Sequence, residues 1–283
     1  MTGEEGEWNQ VGRKHGRLRH IAKASKPKPA AGGANVACPT PTTLALEPGL
    51  DLGGLRPNPN PEFTVSDIHR HHEAAAQEWN SSDCWKSLQA MLLDATAAEG
   101  RPIITKAVFL GPGPYDPSNG SFAARRTAHM QTAAFRSIVR TLEPRNGNGR
   151  AAAIRCVVQE PCFTPTDKEF CAAVGLEVAE SPAAFALVDE ATLVFGIHME
   201  LPTYHRALCG CLPAVFIGAG LDEWQTVKDF DSASARLLAP IAEMDAAFDK
   251  FAFPDLNYMF SSTAMYWRRG AGGDGAESAS TDV

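Results

Sequence analysis

Residues 103–115 read IITKAVFLGPGPY. Six of the eight residues from 103 to 110 are apolar and four are β-branched, the composition of a strand buried on both faces. Gly111-Pro112-Gly113-Pro114 follows, where the glycines relieve backbone sterics and the prolines end the hydrogen-bonded ladder. Ser118 to Ser121 then lead into a helix-patterned run over 122–142, with Phe135, Ile138, Val139 and Leu142 along one side. Strand, glycine turn and helix open an α/β sheet, and ligands of such sheets lie just beyond the turn.

Downstream, residues 153–159 predict a second strand, 192–196 a third and 213–218 a fourth. Helical segments are expected at 166–174, 182–189, 201–211 and 232–251, with a small strand at 176–179. Within 232–251 the apolar seam is Leu237, Ile241, Met244 and Phe248, and Pro240 either kinks that helix or marks its start. Residues 253–266 are aromatic-rich and either finish the sheet or cover its edge. Upstream, helices are expected at 67–79 and 83–98, the first starting near Thr64, three residues ahead of Asp67. His69, His71 and His72 on the first of these read as surface residues, because no other part of the chain completes a ligand motif with them. This alternation predicts a three-layer α/β domain with a mostly parallel sheet over 63–269, carrying a helical N-terminal extension.

Residues 1–62 read as a disordered basic and proline-rich arm, with seven Lys or Arg between Arg13 and Lys28. Residues 270–283 read as a disordered acidic tail. The basic cluster is a candidate nuclear address or contact for an acidic partner. A net charge of −7 argues against a protein that coats nucleic acid, and no apolar run is long enough to span a bilayer. The amino terminus has no apolar core of a secretory signal. Seven scattered cysteines predict reduced core thiols in a cytosolic or nuclear protein; Cys209-Gly210-Cys211 alone is close-set, and one C-x-C carries little metal signal.

Polar residues just past the strand ends should converge on one crevice. They are Gly111, Gly113 and Tyr115 after the first strand, and Glu160, Thr164 and Asp167 after the second. His198, Glu200 and Tyr204 follow the third, and Gly218 ends the fourth. Gly111-Pro112-Gly113 lacks the third glycine of the dinucleotide fingerprint. Glu160 stands where nucleotide-binding folds hold ribose hydroxyls, while Thr164 and Asp167 have capping-box spacing. His198 is the candidate catalytic residue, either a general base or ligand donor, or a tie between two loops. No nucleophile elbow, HExxH or P-loop is present, and no metal site is expected.

Together VFLGPGPY (108–115), EPCFTPTD (160–167), VFGIHMELPTYHRAL (194–208) and FIGAG (216–220) resemble the Sensitivity to Red Light Reduced family, the SRR-like domain. The likeness runs from about 103 to 220; the preceding helix and the tryptophan-plus-basic amino terminus fit as well. Glu160 stands in place of the family's Asp, Ile197 of its Pro, Met199 of its Cys and Ala219 of its Asn. The resemblance implies a Rossmann-like domain in a cytoplasmic and nuclear protein. It also implies links to circadian-clock and light-signalling input, to haem-biosynthesis regulation and to microtubule stability, with no established catalysis. The expectation is a non-catalytic regulator with protein partners, no sequence-specific nucleic acid, and a crevice for an unidentified, nucleotide-like ligand. The alternatives are a transferase using a nucleoside-containing cofactor such as S-adenosylmethionine, and metal or haem binding by His198 with Met199 or Cys162.

Overall fold

In the computed structural model, which describes residues 56–143, 153–225 and 232–270, the predicted opening strand is the middle of the sheet. This is β1 (Lys106–Leu110), paired in parallel with β2 (Arg155–Gln159) on one side and β4 (Thr192–Phe195) on the other. β3 (Glu177–Val178) adds beyond β2 and β5 (Val215–Ala219) beyond β4, both parallel. Two antiparallel pairings complete the sheet: β7 (Thr263–Arg268) lies against β5, and β6 (Phe248–Ala252) against β7. The strand order is β3-β2-β1-β4-β5-β7-β6. Winding therefore reverses between β1 and β4, the switch point at which open α/β sheets carry their ligand crevice. The fold is Rossmann-like, three-layered and mostly parallel.

The side-chain period of two explains both cores. Ala107 and Phe109 point to one face of the sheet, Val108 and Leu110 to the other. The first face is covered by α1 (Val65–Ser81), α2 (Asp83–Ala97), α3 (Phe122–Leu142) and α4 (Pro165–Ala173). There Phe109 stacks on Phe135 at 4.9 Å and meets the edge of Phe195 at 5.2 Å. Truncating such a fully buried ring costs about 3–5 kcal/mol. The second face is covered by a 3-10 turn (Ala183–Leu187), α5 (Leu201–Leu208) and α7 (Ser232–Ala247). A short helix, α6 (Leu221–Gln225), follows β5.

Caps set the helix starts. Thr64 Oγ1 accepts from the Asp67 amide while Asp67 accepts from the Thr64 amide, and Thr164 with Asp167 repeats the arrangement at α4. Ser121 Oγ accepts from the Ala124 amide and fixes the start of α3.

Five details differ from the sequence reading. Regular pairing in β1 starts at 106, with Ile103 71% exposed. The helix expected at 182–189 is a 3-10 turn. The helix expected to reach 251 ends at Ala247, with Pro240 inside it, and its last residues are β6. His72 is not a surface residue: it is buried between α1 and α3. Cys84, Cys156, Cys162, Cys171 and Cys209 are free thiols, whereas Cys211 is disulfide-bonded and departs from expectation. The basic arm, the loop after Glu143 and the acidic tail lie outside the described residues. No described helix is long and apolar enough to cross a membrane.

Candidate functional site

The carboxyl ends of β1, β2 and β4 bring the predicted residues to one edge of the sheet. Gly111 leaves β1 at φ +62° and donates its amide to the Gln159 carbonyl at 3.0 Å. Gly113 adopts φ +82° and donates to Glu160 Oε2 at 3.0 Å, while the Cys162 amide donates to Oε1 at 2.8 Å. Glu160 thus staples the turn after β1 to the turn after β2. Burial pushes its carboxyl above the usual range, against the pull of those amides.

Over the switch point lies Met199. A β-carbon at Gly111 would collide with its Sδ and Cε, and one at Gly196 would meet its Cγ at 3.2 Å. Tyr204, fully buried, holds the backbone beneath: its hydroxyl donates to the Gly196 carbonyl at 2.7 Å. The same oxygen accepts from the amides of Ala219 (3.0 Å) and Met199 (3.3 Å). Desolvation takes the Tyr204 hydroxyl up to about 12. Gly218 is needed for close approach, since a β-carbon there would lie 2.9 Å from both the Gly196 carbonyl and the Tyr204 ring.

Other candidates serve the frame. Tyr115 is fully buried, bonded to Thr132 Oγ1 at 2.9 Å and stacked on Phe163 at 5.5 Å. Thr164 and Asp167 are buried in the α4 cap, where burial raises the Asp167 carboxyl. Glu200 is the N-cap residue of α5 without a side-chain cap bond, and is exposed.

His198 is placed differently. It is exposed, sits at φ +54°, and its Nε2 donates to the Ser261 carbonyl at 2.9 Å. It borders a pocket of about 300 Å3 between the start of α3 and the loop ahead of β7. His198 and Glu160 therefore differ in availability: the imidazole is exposed, whereas both carboxylate oxygens accept from backbone amides. Among the described residues no group of three or more His, Cys, Asp or Glu is arranged to hold a metal ion.

The SRR1 domain model matches residues 76–267, a span from α1 through β7. The chain belongs to the SRR1 domain family. No curated protein matches it. Three solved structures are distantly similar. A protein of Corynebacterium glutamicum is 12% identical at TM-score 0.35, covering 73% of this chain and 91% of its own. A Thermoplasma acidophilum protein is 11% identical at TM-score 0.29, covering 66% and 86%. A variant of MtNAS in complex with S-adenosylmethionine is 15% identical at TM-score 0.29, covering 72% and 74%. At these values the three carry no argument about function.

Within this SRR1 domain the sequence reading missed two positioning residues. Met199 figured as a departure from the family's cysteine and as a possible soft ligand beside His198, with nothing to show that it folds back over Gly111. Asp116, buried, accepts from the amides of Glu62 (2.7 Å) and Phe63 (3.1 Å), tying the segment before α1 to the turn after β1. The available signal was a carboxylate two residues past the second proline of a glycine turn, next to exposed backbone donors.

Proposed function

We propose that this SRR1-domain chain is a non-catalytic regulator that acts through protein partners. The observation that carries the reading is the closed switch point: Met199 lies on Gly111, and both oxygens of Glu160 are spent on backbone amides. A crevice built for nucleoside turnover needs that space open and that carboxylate presented. The regulatory setting is the one the family resemblance implies, circadian-clock and light-signalling input or haem-biosynthesis control, in the cytoplasm and nucleus. Partner contact is assigned to the domain surface and to the basic residues between 13 and 28.

A second reading has one observation in its favour. The Gly113–Glu160 pair stands at the carboxyl ends of adjacent parallel strands, where nucleotide-binding sheets grip ribose. As a transferase with a nucleoside-containing cofactor such as S-adenosylmethionine, the chain would bring Gly111 and Gly113 to the cofactor and Glu160 to its ribose. His198 would take the substrate proton, and Met199 would have to swing away.

Equilibrium dialysis of the full chain with labelled S-adenosylmethionine separates the two. The regulatory reading expects no saturable binding at millimolar ligand, together with specific capture of partners that is lost when the basic residues between 13 and 28 are neutralised. Saturable binding abolished by Glu160→Gln would replace it with the transferase.

A further inference from the structure

We infer that the pocket beside His198 binds a planar aromatic anion. The inference goes beyond the regulatory reading, since a ligand held there serves a regulator or a transferase alike.

The lining supplies rings, a cation and no carboxylate. Phe122, at the first turn of α3, is 67% exposed, and Tyr258, in the loop ahead of β7, is 84% exposed. They are two of the four large hydrophobic side chains exposed among the described residues, and both border the same pocket. Arg125 lies over the Phe122 ring at 5.5 Å, leaving a well-exposed aromatic surface with a positive charge behind it. Flat aromatic surfaces of this kind take up rings by stacking.

Arg126 is the one permanently charged group in the lining. Glu78 holds its Nη2, but its Nη1 faces the Met259 Sδ at 3.5 Å. A thioether is a weak acceptor, so one edge of the guanidinium is poorly used on the pocket side. A carboxylate or phosphate oxygen would replace that contact with a charge-assisted bond. His198 Nε2 is already tied to Ser261, which fixes the imidazole as part of the wall.

The wall is also held against local backbone preference. His198 (φ +54°), Asn257 (+53°) and Tyr258 (+64°) all line the pocket in the left-handed region. Ser262, the remaining non-glycine residue of this kind among those described, is next to the Ser261 carbonyl that His198 contacts. Such conformations persist where surrounding structure over-determines them, and they gather at ligand clamps. A volume of about 300 Å3 is at the small end for ligand sites, which suits one or two fused rings.

Isothermal titration calorimetry of the full chain with 2-naphthoate tests this, against 2-naphthylmethylamine and cyclohexanecarboxylate. The naphthoate should bind saturably and about tenfold more tightly than either comparator. Tyr258→Ala and Phe122→Ala should each weaken it about tenfold with unchanged melting, because both side chains are exposed. Arg126→Gln should weaken the naphthoate and tighten the amine, because it removes a positive charge from the lining and leaves Glu78 without its ion pair. Absence of naphthoate binding, equal affinity for the amine, or binding indifferent to Tyr258→Ala and Phe122→Ala would each overturn the assignment.

Discussion

The thioether of Met199 fills the space that a β-carbon on Gly111 would occupy. Gly111→Ala therefore meets two penalties, the left-handed φ of +62° and the collision with Met199. Left-handed backbone costs an L-residue about 1–2 kcal/mol, and overpacking about 1–3 more. We expect a loss of about 2–5 kcal/mol by urea denaturation. In a Met199→Ala background only the backbone part should remain, so the double-mutant cycle should show a coupling of at least about 1 kcal/mol.

Acid should loosen the contact between α1 and α3 through His72 and His129. Burial, with Arg136 and then His69, takes His72 down to about 4; burial, with His72, His71 and Arg125, takes His129 down to about 3. Both rings are buried neutral. Arg136 donates to His72 Nε2 at 3.2 Å, while His72 Nδ1 and both nitrogens of His129 have no partner. The unfolded chain protonates near 6.5, so this stability is complete above that pH and is lost as pH falls from there through 4 toward 3. At pH 5.5 each histidine should cost about 1.2 kcal/mol relative to pH 7. His129→Leu should flatten the pH dependence of stability by about half over that window; an unchanged slope would sink the account.

Tyr204→Phe should be among the most damaging single-atom changes. It strands the amides of Ala219 and Met199 and the carbonyl of Gly196 together. Each buried unpaired group costs about 1–3 kcal/mol, so a total of about 2–4 kcal/mol is expected after partial relaxation. Hydrogen exchange at the Ala219 amide should accelerate more than at strand amides remote from the ring.

Asp116→Ala acts on a different scale. It removes the acceptor for the Glu62 and Phe63 amides and leaves the sheet untouched. The expected result is local: exchange at those two amides rises sharply, while global stability drops by only about 1–2 kcal/mol. A loss larger than that would mean the segment before α1 belongs to the cooperative core.

The parallel half of the fold was readable because each signal there was local. Buried β-branched runs bounded by glycine and proline located β1, β2, β4 and β5, and Ser121 with the apolar stripe located α3. β6 was hidden because Phe248 continues the helical spacing of Ile241 and Met244, and only pairing with β7 converts the segment to strand. His72 was misread for a similar reason. It stands one turn beyond buried Ile68, so periodicity placed it inward while its polarity suggested the surface. At the candidate site, residue types were legible and their partners were not. Nothing local says that Met199 folds onto Gly111, or that loop 253–262 reaches His198.

The placement of β7 between β5 and β6 bears on how the protein is made. β6 has β7 as its sheet neighbour, yet β7 is the later of the two in the chain. During synthesis β6 leaves the ribosome with nothing to join, and β5 waits with an open edge until residues 263–268 follow. An open edge is a template for pairing with other chains. The nascent polypeptide thus carries an open edge at β5 until β7 emerges.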